Sequence, residues 1–407
     1  MNRRRFLSAA AALSAASPAA SNAAAEVDFE AVRADFPRSR TAAYFDCASS
    51  HPLSVHSAAA LHRYVDWVAH QVGAPWWPSW APPRGEAKNL FARLVNAKPS
   101  EIAFARSTIE AESNLLNGMA HVLSQGNVVT NDLHYTAALY NYKMRQQEGL
   151  DLRIVKNRDW RIDIDDMRKA IDGGTKLVSI TLVSNVNGYL SDVKLISDLA
   201  HSQGAYLYVD VIQAAGAVPI DVRAMGIDFA ACSTYKWLMG VKGFGFLYVR
   251  EDLQQKIVKP TQHSGGVRFN YEPWVDRPDA ALDEITFRPR PGPGCYEVSY
   301  PSYEGVICAQ ESLNYILQLG VPNIRKHVRG LTNRLQEELP KLGYPSITPK
   351  GNESPIVVFE ASDPSSTVKK LQAAGVHVAM RFGNKMRLSP SVFSNHEDVD
   401  KLLGALA

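Results

Sequence analysis

The sequence predicts an α/β protein: a large domain built on a mostly parallel sheet, then a smaller α+β domain. Three observations carry this. Between about residues 128 and 249, short apolar runs alternate with amphipathic stretches, the pattern of strands separated by helices. Beyond residue 300, long helical patterns give way to short strands. The chain also has 407 residues, past the size at which a single core stops growing, so two domains are the default.

Taken in order, the expected strands of the large domain are 152–155, 177–183, 205–210, 229–233 and 244–249. Between two of them Val193, Ile196, Leu199 and Ala200 mark one helical face, and Gly204 is placed to stop that helix. Parallel sheets bind ligands at the carboxyl ends of their strands, so functional residues are expected just after these runs. In the C-terminal third, helices are expected at 303–319 and 324–339, then strands at 356–359, 376–380 and 386–388. A last helix opens at Asn395, a good N-cap, with Asp398 three residues on and Val399, Leu402, Leu403 and Leu406 on one face. Residues 260–294, rich in Pro, Gly and Arg, are too long for a simple connection. The resulting division is 1–25 export segment, 26–60 N-terminal segment, 61–265 large domain and 266–407 small domain, with the long loop at its start. No internal repeat is visible.

The formal charge of +3 comes from 44 Lys plus Arg against 41 Asp plus Glu. Arg3, Arg4 and Arg5 account for all of it; without them the count is 41 against 41. A neutral body lacks the basic footprint of a nucleic-acid binder, so that class of partner is set aside. The opening has the order of an export signal: the three arginines, an Ala-rich run through Ala16, then small residues with cleavage expected after Ala25. Arg3-Arg4-Arg5-Phe6-Leu7 resembles the twin-arginine signal, which implies the twin-arginine export machinery and a periplasmic location; an uncleaved cytoplasmic N-terminus is the alternative. No stretch is long and apolar enough to promise a membrane span. Cys47, Cys232, Cys295 and Cys308 are far apart and form no Cys-x-x-Cys pair, so no zinc or redox motif is indicated and buried thiols are expected.

The informative segment runs from Ala205 to Gly245. Asp210 ends an apolar strand, where an ionised carboxylate is costly without a cationic partner. Lys236 follows another apolar strand and leads into a Gly-rich turn, so its amine is expected at the same sheet edge. A buried acid and a buried lysine at adjacent strand ends suit pyridoxal 5′-phosphate: the lysine forms the Schiff base and the acid keeps the pyridine nitrogen protonated. Each residue alone would more often be a helix cap or an ordinary loop lysine.

Asp210-x-x-Gln213, then Ser233-x-x-Lys236-x-x-x-Gly240-x-Lys242-Gly243-x-Gly245, resembles the class V aminotransferase-fold enzymes, a group holding cysteine desulfurases, isopenicillin N epimerase-like proteins and kynureninases. The resemblance extends from about Tyr44 to the C-terminus. It implies pyridoxal phosphate fold type I with a seven-stranded large-domain sheet. By this likeness Lys236 carries the Schiff base, Asp210 pairs with the pyridinium, Gln213 and Asn185 approach the ring oxygen, and Ser233 holds the phosphate. Thr108 and Ile109 fall at the helix start that cradles the phosphate with backbone N–H groups, although the family often has Thr where Ile109 stands. Tyr235 likewise replaces a frequent His. Tyr135 falls in the ring-stacking place, and its neighbour His134 is expected to be an exposed polar residue. Arg387 matches the clamp for a substrate carboxylate, a task suited to a planar bidentate donor, with Arg381 as a second candidate. Tyr300 falls where the family reaches the partner subunit's phosphate, which implies a homodimer.

The implied substrate is an amino acid or similar small molecule, taken through an external aldimine with α-proton abstraction by Lys236. Transamination, epimerisation and lyase chemistry all remain open. Cysteine desulfurase or C–S lyase activity is the alternative, but the desulfurase nucleophile belongs in the loop 381–387, which holds no cysteine. Periplasmic tailoring of a peptide siderophore is a further alternative, and a degenerate binding protein is the non-enzymatic one. The aromatic run Pro75-Trp76-Trp77-Pro78-Ser79-Trp80 is expected to pack against the body rather than line a substrate entrance.

Overall fold

Apolar runs of four to seven residues are too short to bury themselves as helices, and seven of them pair edge to edge here. The computed structural model describes residues 27–70, 84–261, 267–270, 286–298 and 301–407. After a short strand β1 (Ala43–Tyr44), the large sheet comprises β2 (Ile102–Ala105), β3 (Asn127–Asn131), β4 (Asp151–Val155), β5 (Thr175–Thr181), β6 (Tyr206–Asp210), β7 (Phe229–Ser233) and β8 (Gly245–Val249). Their order is β2-β8-β7-β6-β5-β3-β4. All run parallel except β8, which is antiparallel to both neighbours.

The sheet is covered on both faces. Val178, Ile180, Leu207 and Val209 point into one apolar core, shared with Val193 and Ile196 of the helix Val193–Ser202. Their alternates Leu177, Tyr208 and Phe229 point into another, shared with Leu115 of the helix Thr108–Gly118 and Tyr142 of the helix Thr136–Gln147. This is the period of two expected of strands buried on both sides. Gly204 takes φ +74° as the helix Val193–Ser202 ends, the left-handed turn anticipated for it.

The remaining strands are β9 (Val267–Asn270), β10 (Thr286–Pro289), β11 (Val357–Glu360), β12 (Val376–His377), β13 (Ala379–Arg381) and β14 (Lys385–Leu388). β11, β14 and β13 form a three-stranded antiparallel sheet. It packs with the helices Val321–Glu338 and His396–Leu406 around a core of Leu331, Leu335, Phe359, Leu388, Val399 and Leu402. Asn395 caps the last helix, accepting the Asp398 N–H at 3.1 Å while its own N–H donates to Asp398 Oδ2 at 3.2 Å. The N-terminal segment joins this unit, because β1 pairs in parallel with β12.

Three expectations need correction. The strands 102–105 and 127–131 were not anticipated. The expected strand 376–380 is two strands, because β12 pairs with β1 and β13 pairs with β14 in a different sheet. The long segment 260–294 is not all loop: β9 and β10 pair antiparallel within it.

Candidate active site

The strand register brings the site residues to one edge. Ala105 pairs with Gly245, and Gly245 with Ser233, so the helix starting at Thr108 begins beside the end of β7. Asp210 ends β6, one strand over, and is 1% exposed. Lys236 lies in the turn three residues after β7 and is 7% exposed. Gly216 is required behind it: its φ is +97°, and a Cβ there would lie 2.3 Å from the Trp237 carbonyl oxygen.

Lys236 lines a cavity of about 410 Å³ together with Ala48, Ser49, Tyr135, Asn185, Tyr235, Arg381 and Arg387. Its Nζ stands 5.8 Å from the Tyr135 ring centroid and 5.7 Å from that of Tyr235. Burial holds the Lys236 amine down to about 8; the Asp210 carboxylate opposes this, and Arg387 adds to it. Burial likewise pushes Asp210 up to about 6, against the Ile212 N–H, which donates to its Oδ1 at 2.9 Å, and the charge of Lys236. Each group is thus stabilised by the other against a shared desolvation penalty.

Arg387 projects from β14 and is 3% exposed. Its Nη2 donates to Ser49 Oγ at 2.5 Å and faces Asp46 Oδ1 at 3.4 Å, and its Nη1 donates to the Asn185 carbonyl at 3.3 Å. Burial lowers its pKa, yet a guanidinium stays charged. Arg381 Nη2 donates to the same Ser49 hydroxyl at 2.6 Å from the cavity rim. Buried polar atoms normally find partners, but Asn185 Oδ1 and Arg387 Nε have none among the described residues.

The other expected residues divide. Thr108 and Ser233 are joined by reciprocal hydrogen bonds of 2.8 and 2.9 Å at the helix start, with Ile109 next on the first turn. Gln213 does not line the cavity: its Nε2 donates to the Ala48 carbonyl at 3.1 Å and its Oε1 accepts the Trp237 Nε1–H at 2.9 Å, leaving one Nε2 hydrogen for another acceptor. Tyr300 and the 75–80 aromatic run lie outside the described residues. His134 is the clear correction. Expected to be exposed, it is fully buried, because the Tyr135 N–H and the Ser179 hydroxyl satisfy its two ring nitrogens. All four cysteines are free and buried, and none lines the cavity.

Sequence reasoning missed Asp46 and Ser49, which hold Arg387. Their signal was present: Ala42-Ala43-Tyr44-Phe45 is an apolar run that leads into an acid, Asp46, like the run that ends in Asp210. Among the described residues, no cluster of three or more His, Cys, Asp or Glu could hold a metal ion, and no helix is long and apolar enough to cross a membrane.

The residues present fit pyridoxal phosphate. A buried acid and a buried amine share one sheet edge, a helix N-terminus offers N–H groups beside Ser233, and an unpaired amide oxygen of Asn185 lies at the cavity wall.

The family model described as "Aminotransferase class-V" matches residues 84–402. The chain is 30% identical over 320 residues to a probable cysteine desulfurase of Methanothermobacter thermautotrophicus, covering 75% of this chain and 74% of that protein. It is 25% identical over 383 residues to the uncharacterized aminotransferase YcbU of Bacillus subtilis, covering 93% and 97%. Among solved structures, the apo cysteine desulfurase of Thermococcus onnurineus aligns with a TM-score of 0.81 at 25% identity, covering 92% of this chain and 96% of that one.

Proposed function

Since the chain belongs to the aminotransferase class-V family, as an enzyme whose cofactor is pyridoxal 5′-phosphate, we propose that it removes the α-proton of an amino acid held by its carboxylate. The observation that carries this is the one cavity in which Lys236, flanked by two tyrosine rings, shares its walls with the buried Arg387. Bound pyridoxal phosphate supplies the electron sink for the bond broken at the α-carbon.

The chain's own residues do the rest. Arg387, steadied by Ser49 and Asp46, offers a planar fork to the substrate carboxylate. Lys236, whose amine titrates near 8 rather than in the ordinary lysine range, is suited to take a proton at neutral pH and to give it back. Asp210 would hold a proton on the pyridine nitrogen. Tyr135 would cover the ring of the bound cofactor, and Thr108, Ile109 and Ser233 would hold its phosphate at the helix start. Transamination, epimerisation and elimination all begin from this proton transfer.

A second reading, cysteine desulfurisation, is favoured by relatives that bear that name. Against its usual course, no cysteine of this chain reaches the cavity. With alanine as product the sulfur would have to pass to an external thiol as a persulfide, whereas release as sulfide would accompany elimination to pyruvate and ammonia.

The test is α-proton exchange in D2O, followed by NMR for single amino acids including L-cysteine, with keto acid, sulfide and enantiomer measured alongside. Deuterium entering the α-position with the loaded wild type, but not with Lys236→Ala, is the expected result. No exchange with any amino acid overturns the reading. Twin-arginine export and a homodimer belong to the same proposal, supported by Arg3-Arg4-Arg5-Phe6-Leu7 and by the resemblance at Tyr300. Cell fractionation with all three arginines replaced by Lys, and sedimentation of the mature protein, check them.

A further inference from the structure

Behind Tyr135, a chain of buried polar side chains runs between the sheet and the helices Thr108–Gly118 and Thr136–Gln147, and the proposed reaction uses none of it. The Tyr142 hydroxyl donates to Glu112 Oε1 at 2.8 Å, and the Ser179 hydroxyl donates to the same oxygen at 3.3 Å. Ser179 Oγ lies 3.2 Å from His134 Nε2, and His134 Nδ1 accepts the Tyr135 N–H at 2.7 Å. Glu112, Ser179, His134 and Tyr142 are all fully buried.

The direction of each bond follows from the last one. Nδ1 accepts a backbone N–H, so the neutral imidazole carries its hydrogen on Nε2 and donates it to Ser179 Oγ. Burial pulls His134 down to about 3, which keeps it neutral. Ser179 is then free to donate to Glu112. Burial pushes the Glu112 carboxyl up to about 8, opposed by the Tyr142 hydrogen bond and reinforced by Asp210, with Ser179 and Arg145 also opposing. At neutral pH Glu112 therefore enters the chain as a neutral carboxyl that accepts through Oε1 and carries its proton on Oε2. The Tyr135 N–H is one the following helix cannot satisfy, since Tyr135 is its N-cap residue.

Glu112 sits where packing alone would place an aliphatic side chain, on the buried helix face with Thr108, Ala111 and Leu115. Both bonds to Glu112 end on Oε1, while its buried Oε2 has no partner among the described residues, so the carboxyl is kept there at a cost in stability and its Oε1 bonds fix the geometry of the groups they join. We infer that Glu112, acting through Ser179 and His134, is a positioning residue that fixes the backbone of Tyr135 and so holds its ring over Lys236. This rests on the reading that Tyr135 faces the cofactor.

The test uses the full chain loaded with pyridoxal phosphate. It compares Glu112→Gln, Glu112→Leu and Ser179→Ala, each also in a Tyr135→Ala background. The readouts are the pH midpoint of the bound cofactor's visible absorbance and the cofactor dissociation constant. Glu112→Gln keeps a neutral acceptor and is expected to match wild type. Glu112→Leu and Ser179→Ala are expected to move the midpoint by about half a pH unit or more and to weaken cofactor binding about threefold or more. In the Tyr135→Ala background these effects should vanish, because the ring they position is gone.

Unchanged midpoint and affinity in both chain-breaking variants overturn the inference, even if melting temperature falls. So does an effect that persists in full without the Tyr135 ring, or a Glu112→Gln as impaired as Glu112→Leu. Should Glu112→Leu fail to fold, Ser179→Ala decides alone. If Tyr135→Ala by itself leaves absorbance and affinity untouched, the placement of Tyr135 is what fails, and the inference falls with it.

Discussion

The Thr108 backbone N–H donates to Ser233 Oγ at 2.8 Å, and the Ser233 N–H donates back to Thr108 Oγ1 at 2.9 Å. This reciprocal pair ties the start of one helix to the end of β7, three residues before Lys236. It links the site proposed for the phosphate to the lysine through a short, buried piece of backbone.

Ser233→Ala therefore strips the buried Thr108 N–H of its acceptor and removes the hydroxyl proposed to hold the phosphate. The expected cost is about 1–3 kcal/mol of stability, with about tenfold weaker cofactor binding. Chemical denaturation and a fluorescence titration with pyridoxal phosphate check both. Unchanged affinity would place the phosphate elsewhere.

Arg387→Gln is expected to lower kcat/KM by about 10–150-fold, the worth of a charged hydrogen-bonded contact at about 1.5–3 kcal/mol. Arg387→Lys should be nearly as impaired, because a point charge cannot reproduce the fork held by Ser49 and Asp46. Steady-state kinetics on any substrate found by α-proton exchange measure this. Full activity in Arg387→Lys would remove the bidentate clamp.

Treatment of the native enzyme with iodoacetamide should leave activity intact, since Cys47, Cys232, Cys295 and Cys308 are all buried. Burial also raises each of their pKa values, which keeps the reactive thiolate scarce. Mass spectrometry should find little alkylation. One rapidly labelled cysteine with parallel loss of activity would restore a thiol mechanism.

Glu112 also gives stability a pH dependence. Its carboxyl rises from an ordinary 4.5 to about 8 on folding. Between those values the folded state holds a proton that the unfolded state has lost. Its contribution is thus fully present below about 4.5 and fades as pH rises through about 8. The slope is at most about 1.4 kcal/mol per pH unit. Denaturant unfolding from pH 5 to 8.5 should show Glu112→Gln gaining on wild type as pH rises. A constant difference between the two would mean that Glu112 is ionised throughout.

Where local pattern and partner lay close together, the sequence was readable. The strand Phe229–Ser233 and the helix Tyr303–Leu319 have the expected bounds, since apolar spacing alone sets them. The Asp210 and Lys236 pair was visible because each follows an apolar run. What stayed hidden depends on distant partners. β12 and β13 separate because their pairing strands begin at Ala43 and at Lys385. His134 is buried by Ser179, 45 residues away. Glu112 was legible in principle, as an acid at helical spacing with Thr108 and Leu115, but only the fold shows that its partners meet it in the core.

The central claim is that Lys236 is the residue to which pyridoxal phosphate attaches. Borohydride reduction of the loaded protein, followed by peptide mass spectrometry, tests it most directly. The account predicts a single pyridoxyl adduct on the peptide containing Lys236 and none in Lys236→Ala. An adduct on another lysine, or a loaded Lys236→Ala protein with the same covalent label, would contradict it.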